Sequence, residues 1–156
     1  MRWCNRLSDI SPLIHVVDDD PSVTRALKRL LHSWGMQVCT FASGEEFLSA
    51  MAGSHIPDCS VIDLHMPGMN GLEVQARMAR AKLDVPLIFM TAHDEAGVEE
   101  QALQGGAVGF LRKPFSDEAL VELIRNGLQH QRATCHPRGR ARRVRRNCEN
   151  SRNDDD

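Results

Sequence analysis

The sequence predicts an α/β fold in which five parallel strands form one doubly wound sheet. Short apolar runs alternate five times along the chain with segments whose apolar residues recur at helical spacing. Strands that alternate with helices pair in parallel through right-handed crossovers. The strand segments are continuously apolar rather than alternating, which indicates a sheet covered by helices on both faces. A chain of 156 residues fits one such domain with short extensions.

The first strand and helix are predicted between residue 13 and Gly35. Residues 13–17 form a short apolar run that is typical of a buried strand, and three aspartates end it. Asp20 is suited to cap the next helix, and Pro21 suits the first helical position because its missing N–H is not needed there. Gly35 supplies the helix stop. The apolar face of this helix is predicted to carry Val23, Leu27, Leu30, Leu31 and Trp34.

The second and third units follow the same pattern. Strands are predicted at 36–41 and 59–62, the latter ending at Asp63. Residues 43–46 and 70–73 each have the spacing of a capping box, in which a polar side chain and a glutamate three residues later satisfy free backbone N–H groups. Each box therefore predicts the start of a helix, and the second helix should reach about residue 82.

The fourth strand is the most apolar, at 85–90, and the fifth lies at 108–111. Between them we expect a helix from about 95 to 104, weakened by Gly97 within it because glycine is a poor helix former. Ser116 is suited to cap the last helix. In a doubly wound sheet with strand order 2-1-3-4-5, a site is expected at the carboxyl ends of the strands, where the strand order reverses.

Charge divides the chain into a body and a tail. Residues 1–131 carry 11 Lys or Arg and 17 Asp or Glu, a net charge of −6, whereas 132–156 carry 8 Arg and 4 Asp or Glu, a net charge of +4. Near residue 132 the apolar period also ends, as in disordered segments. We therefore expect an N-terminal extension at 1–12, a folded domain at 13–131 and a basic, disordered tail at 132–156.

Two classes of protein are not expected. The N-terminus lacks the apolar run of a signal peptide, and no apolar stretch approaches the ~20 residues that span a bilayer. We therefore expect a cytoplasmic protein without a membrane partner. The five cysteines show no CxxC or Cys/His spacing, so no zinc site is predicted.

Reactive residues fall at the ends of four predicted strands. Asp18 and Asp19 follow the first strand, Asp63 the third, Thr91 the fourth and Lys113 the fifth. In the strand order 2-1-3-4-5 these ends lie side by side, so the five side chains should converge at one edge of the sheet.

Three carboxylates in one pocket repel one another, and a divalent cation relieves that repulsion. Oxygen ligands favour a hard ion, so Mg²⁺ is expected, with Mn²⁺ as a substitute. The metal ligands would be Asp18, Asp19 and Asp63, and the backbone carbonyl of His65 is placed to add a fourth oxygen. The same Asp63 carboxylate is the candidate nucleophile, because carboxylates form acyl phosphates.

Lys113 and Thr91 complete the predicted catalytic group. Phosphoryl transfer depends on positioning and on neutralising charge, for which the Lys113 ammonium is suited. The Thr91 hydroxyl can donate to a phosphoryl oxygen. The Lys113-Pro114 bond is a tertiary amide, for which the cis isomer costs little, and the sequence leaves its isomer open.

The chain resembles the receiver domain of two-component response regulators, in particular the FixJ type. The resemblance covers about Leu13 to Leu128 and implies the flavodoxin-like (βα)5 fold. Five motifs in the right order carry it, namely residues 16–20, 41–48, 63–71, 91–93 and 106–115.

The resemblance implies a phosphorylated switch and its partners. Asp63 would accept a phosphoryl group from a sensor histidine kinase. Thr91 and Phe110 would then move and reshape the face formed by the fourth helix, fifth strand and fifth helix, where an unidentified downstream protein binds. His65 and His93 would flank the phosphoryl group and set its lifetime. Such a chain is a switch rather than a turnover enzyme, and a homodimer of the phosphorylated form remains open.

Three alternatives compete with this hypothesis. The arginines of the tail could bind DNA through its phosphates, but the tail has no aromatic residues or base-reading motif, so nucleic acid is not expected as a partner. A haloacid-dehalogenase-like phosphatase would need an aspartate where His65 stands. A degenerate receiver would lack part of the acidic set, which is intact. The sequence also departs from the FixJ type at Gly109 and Arg112, where acidic residues are common, and in that no helix-turn-helix domain follows Arg132.

Overall fold

The computed structural model describes residues 11–53, 56–92 and 95–134, the last five by their backbone. Most of the predicted N-terminal extension (1–12) and tail (132–156) fall outside these ranges. The strands are β1 (Leu13–Val17), β2 (Gln37–Phe41), β3 (Cys59–Asp63), β4 (Leu87–Thr91) and β5 (Gly109–Arg112). All neighbouring strands are parallel, and their order is β2-β1-β3-β4-β5.

A helix follows each strand, which confirms the predicted doubly wound (βα)5 architecture. The helices are α1 (Pro21–Ser33), α2 (Gly44–Ala52), α3 (Gly71–Arg80), α4 (Val98–Gln104) and α5 (Asp117–Thr134). In the described part of the chain, none of them combines the length and apolar character needed to cross a membrane.

The predicted helix starts are present, with one variation. Asp20 caps α1 by accepting the Ser22 backbone N–H (3.0 Å). Ser43 caps α2 by accepting the Glu46 N–H (3.1 Å), but the Glu46 carboxylate accepts from Ala42 N–H rather than from Ser43. The other two predicted helix starts are confirmed. A complete capping box formed by Asn70 and Glu73 begins α3, and the Ser116 hydroxyl accepts the Ala119 N–H at the start of α5.

Apolar side chains cover both faces of the sheet. One cluster packs β1, β3 and β4 against α2 and α3, with Phe47, Ile62 and Phe89 fully buried. The other packs the opposite face against α1 and α5. Trp34 departs from the predicted apolar face: it lies past the end of α1, is 42% exposed, and stacks under the guanidinium of Arg125.

The region around α4 corrects the sequence prediction. The helix begins at Val98 rather than near residue 95, and Gly97 precedes it as the N-cap instead of lying inside it. Gly97 has a φ of 83°, a left-handed conformation that a helix interior excludes and that glycine adopts without strain. The last helix also departs from the prediction: it extends to Thr134, three residues into the segment 132–156 that was expected to be a disordered tail.

Candidate functional site

The three aspartates predicted to share a site lie together at the carboxyl edge of the sheet. Asp18 directly follows β1, and Asp63 is the last residue of β3, the neighbouring strand. Oxygen atoms of Asp18, Asp19 and Asp63 all lie within 4.8 Å of one another. Asp18 and Asp63 are buried whereas Asp19 is exposed, so the group opens to solvent on one side.

Backbone contacts fix Asp18 and the chain that follows it. The Asp18 N–H donates to the Phe41 carbonyl (3.1 Å) and thereby extends the pairing of β1 with β2 beyond the strand end. The Asp18 carboxylate in turn accepts the Asp20 N–H (2.9 Å). Because one of its oxygens is held in this way, the orientation of the carboxylate is set before any ligand binds.

The loop after Asp63 closes against the end of β3. The Gly71 N–H donates to the Leu64 carbonyl (3.0 Å), which brings the start of α3 back to the site. A Cβ atom at Gly71 would lie 3.1 Å from the Asp63 carbonyl oxygen and 2.9 Å from the Phe89 ring. Only glycine allows this close approach, which explains physically why this position of the matched motif is a glycine.

Lys113, the residue directly after β5, joins the aspartates. Its Nζ lies 3.1 Å from Asp18 Oδ2 and 3.6 Å from Asp63 Oδ1, so one ammonium contacts both buried carboxylates. The Lys113 N–H donates to the Thr91 carbonyl (2.7 Å), and the bond to Pro114 is cis, the isomer that the sequence left open. The predicted convergence of the ends of β1, β3 and β5 is therefore present.

The electrostatics of this group favour a bound cation. Burial raises the pKa of Asp63 to about 6, and the Asp18 charge adds to the rise, while Lys113 acts in the opposite direction. One ammonium therefore does not offset the burial and mutual repulsion of the carboxylates. The available donors are carboxylate oxygens, the ligand type that Mg²⁺ and Mn²⁺ prefer, and the donor set fits such an ion.

A second group of polar residues lies beside the aspartates. Thr91 ends β4 and is fully buried, and its hydroxyl lies 3.3 Å from Nδ1 of His65, in the loop after β3. The other ring nitrogen of His65, Nε2, lies 3.3 Å from a carboxylate oxygen of Glu95. The sequence drew attention to Thr91 and His65 but not to Glu95, which has no motif of its own. His93 lies outside the described residues.

Phe110 lies on β5, partly buried against the cluster that contains Phe89. The guanidinium of Arg112 lies 5.7 Å from the centre of its ring and also contacts Glu99 of α4 (2.9 Å). Arg112 thus ties the ring to α4 at the surface, a contact that the sequence did not predict. The spacing of Phe110 and Arg112 could have predicted this contact, because residues two apart on a strand share a face and a guanidinium packs favourably on an aromatic ring.

Comparisons with known proteins match this geometry. The profile of the response regulator receiver domain matches residues 14–125. Nodulation protein W of Bradyrhizobium diazoefficiens is 39% identical over 115 residues, which cover 72% of this chain and 49% of that protein. The DNA-binding transcriptional regulator NtrC of Escherichia coli is 36% identical over 126 residues, 81% of this chain and 27% of NtrC. The chain thus spans half or less of the length of these two relatives.

Solved structures agree with the sequence comparisons. A response regulator receiver protein from Burkholderia phymatum is 49% identical, with a TM-score of 0.68 over 76% of this chain and 96% of that one. The crystal structure of FixJ-N is 32% identical, with a TM-score of 0.71 over 77% of this chain and 95% of that one. With the strand order, the acidic group and the family profile in agreement, the chain belongs to the response regulator receiver domain family of two-component systems.

Proposed function

We propose that this chain is a phosphoacceptor switch in which Asp63 takes a phosphoryl group from a phosphohistidine of a sensor histidine kinase. The observation that carries the proposal is the contact of one ammonium, that of Lys113, with two carboxylates that are buried together, Asp18 and Asp63. A purely structural ion pair needs one carboxylate. Here a second buried carboxylate, that of Asp63, has a raised pKa, and a raised pKa is expected of a reactive group.

In the proposed transfer, a carboxylate oxygen of Asp63 attacks phosphorus and forms the acyl phosphate. The bond from phosphorus to the kinase imidazole nitrogen breaks, and the imidazole leaves with its electron pair and takes up a proton from solvent. Lys113 is close enough to Asp63 to neutralise charge on the phosphoryl oxygens. Asp18, Asp19, Asp63 and the backbone carbonyl of His65 would hold Mg²⁺ or Mn²⁺, which lowers the repulsion between carboxylates and phosphoryl oxygens.

The signal would pass from Thr91 and Phe110 to the surface of α4, β5 and α5. The Thr91 hydroxyl would donate to the phosphoryl group, and the partly buried Phe110 ring would move into the space this opens. A downstream protein, or a second phosphorylated copy, would read the altered surface. His65 and His93 would set how fast water removes the phosphoryl group.

We assign these steps to a cytoplasmic domain at 13–131, whose last helix continues to Thr134, between the extension at 1–12 and the rest of the basic tail. DNA binding, which the name of NtrC states for that protein, is not assigned to this domain. Residues 1–131 carry a net charge of −6, which repels nucleic acid.

Acetyl phosphate and Mg²⁺, followed by intact-mass measurement, test the proposal. We expect the wild-type chain to gain one phosphoryl group, Asp63→Asn to gain none, and the exposed control Asp84→Asn to behave as wild type. Absence of the gain in wild type, or its persistence in Asp63→Asn, would contradict the proposed acceptor.

A further inference from the structure

We propose that Glu95 is a positioning residue that acts through His65 to hold the Thr91 hydroxyl in the unphosphorylated chain. The inference deepens the proposed function and rests on it, because it concerns the hydroxyl that would later bind the phosphoryl group. It assigns a role to a residue outside the recognised motifs, in the segment between β4 and α4.

One imidazole ring joins the two partners. His65 Nδ1 lies 3.3 Å from the Thr91 hydroxyl and His65 Nε2 lies 3.3 Å from the Glu95 carboxylate. A carboxylate accepts hydrogen bonds, so Glu95 favours the ring form with its hydrogen on Nε2. In a neutral ring the other nitrogen, Nδ1, is then an acceptor, and the donor to it is the Thr91 hydroxyl.

This arrangement makes His65 a competitor of the phosphoryl group. A threonine hydroxyl has a single hydrogen, so it cannot donate to Nδ1 and to a phosphoryl oxygen at the same time. The contact with His65 therefore stabilises the unphosphorylated state alone. Glu95 strengthens that contact by fixing the ring form and its orientation, as second partners of histidine do in metal sites and catalytic triads.

The position of Glu95 adds a mechanical consequence. Glu95 precedes Gly97, the left-handed N-cap of α4, so it sits directly before the helix whose surface is proposed to change. Through the His65 ring, the end of β4 is in contact with the chain that leads into α4.

The inference is tested on the full chain with fluoroberyllate, a stable mimic of an acyl-phosphate group, titrated at a fixed Mg²⁺ concentration and followed by calorimetry. Since the hydrogen bond held by Glu95 stabilises only the free state, we expect Glu95→Ala to bind the mimic about two- to fivefold more tightly. Glu95→Gln keeps an accepting oxygen at the same position and should bind within the error of wild type. Glu100→Ala, which removes an equal charge from the exposed surface of α4, is the matched control and should also match wild type.

A spectroscopic measurement separates positioning from a general structural effect. Nitrogen-15 shifts of the His65 ring, recorded without Mg²⁺ or mimic, should report the hydrogen on Nε2 in wild type and Glu95→Gln. In Glu95→Ala this preference should weaken. In a Thr91→Val background, which lacks the hydroxyl, Glu95→Ala should no longer change the affinity for the mimic.

The outcomes distinguish this inference from the proposed function. Binding of the mimic by wild type with an unchanged affinity in Glu95→Ala overturns the role of Glu95 and leaves the phosphoacceptor intact. Equal effects of Glu95→Gln and Glu95→Ala show that only charge matters and also overturn it. Failure of the wild-type chain to bind the mimic would overturn both.

Discussion

The reactive edge of the sheet and the face formed by α4 and β5 differ in how many of their residues are buried. Every residue of β1, β3 and β4 is buried; Asp18 directly follows β1, and β3 and β4 end in Asp63 and Thr91. In β5 only Gly109 is buried, and Arg112 is exposed. Of the seven residues of α4, all described, Ala102 alone is buried. The chemistry thus rests on packed strands, whereas α4 and β5, two of the three elements of the face proposed to carry the signal, contribute few buried residues.

Helix ends show the same difference. The helix that follows the reactive loop, α3, starts with a complete capping box from Asn70 and Glu73. At the start of α4 stands Gly97, which has no side chain to offer a cap. Elements that move are drawn from the less stable parts of a protein. In this fold, the firmly packed strand ends that carry Asp63 (the acceptor edge) are therefore separate from the loosely packed α4 and β5 (the reader face).

The largest predicted effect is on the free energy of unfolding, and it compares the truncation of an apolar side chain in the buried sheet with one in α4. Ile14 is fully buried in β1, away from the aspartates, and Ile14→Ala should lower the free energy of unfolding by about 3 kcal/mol through lost burial and a cavity. Leu103 of α4 is 44% exposed, and Leu103→Ala should cost less than about 0.5 kcal/mol. Urea denaturation of both variants gives the values. Similar costs for the two variants would mean that α4 is packed as firmly as the sheet.

The firmly packed side is also the part that the sequence predicts well. Continuous apolar runs determine which segments become buried parallel strands, and parallel strand ends meet at one edge. Asp18, Asp63 and Lys113 are 45 or more positions apart along the chain, yet their meeting follows from strand order alone. The left-handed Gly97 illustrates the opposite case. Helical spacing continues through residues 95–104, and only tertiary structure determines that the chain turns before the helix begins.

The next effect concerns repulsion at the reactive edge. The rise in the pKa of Asp63 from 3.8 to about 6 corresponds to at most about 3 kcal/mol of lost stability when the carboxylate is ionised. Water at the open side reduces this to about 1–2 kcal/mol. Without Mg²⁺ near neutral pH, Asp63→Asn should therefore be more stable than wild type by that amount in urea denaturation, because Lys113 keeps its contact with Asp18.

The pH dependence of this difference has a defined sign. Below about pH 3 Asp63 is protonated in both the folded and unfolded states and has no effect, because the pKa of the unfolded carboxyl is 3.8. Between about pH 4 and 6 the unfolded chain ionises while the folded chain keeps its proton, so wild type loses stability relative to Asp63→Asn, and the loss is complete once the pH has passed about 6. Added Mg²⁺ should remove the advantage of the variant by binding to wild type. An advantage that is the same at pH 4 and pH 7 would show that repulsion is not its cause.

The polar contacts around α4 are the part of the structure that the sequence predicts least well. Gln75 and Glu95 are ordinary polar residues at ordinary positions, and nothing in their spacing predicts a partner. The partner of Gln75 on α4 lies 27 positions away and the partner of Glu95, His65, lies 30 positions away. Such ties depend on how α3, α4 and the loops pack, which apolar periodicity does not determine.

The smallest predicted effect tests whether α4 is held by one such tie. The Gln75 amide, buried on α3, donates to the Ala102 carbonyl of α4 (3.0 Å). Gln75→Met keeps the size of the side chain but removes the donor, at a cost of about 1 kcal/mol. Because α4 has one buried residue of its own, this cost should appear locally: amide exchange should speed up about fivefold in α4 and stay unchanged in β3. Gln101→Met, at an exposed position of α4, is the control. Faster exchange in both α4 and β3 would mean that the two regions open together and would contradict the separation of the reader face from the acceptor edge.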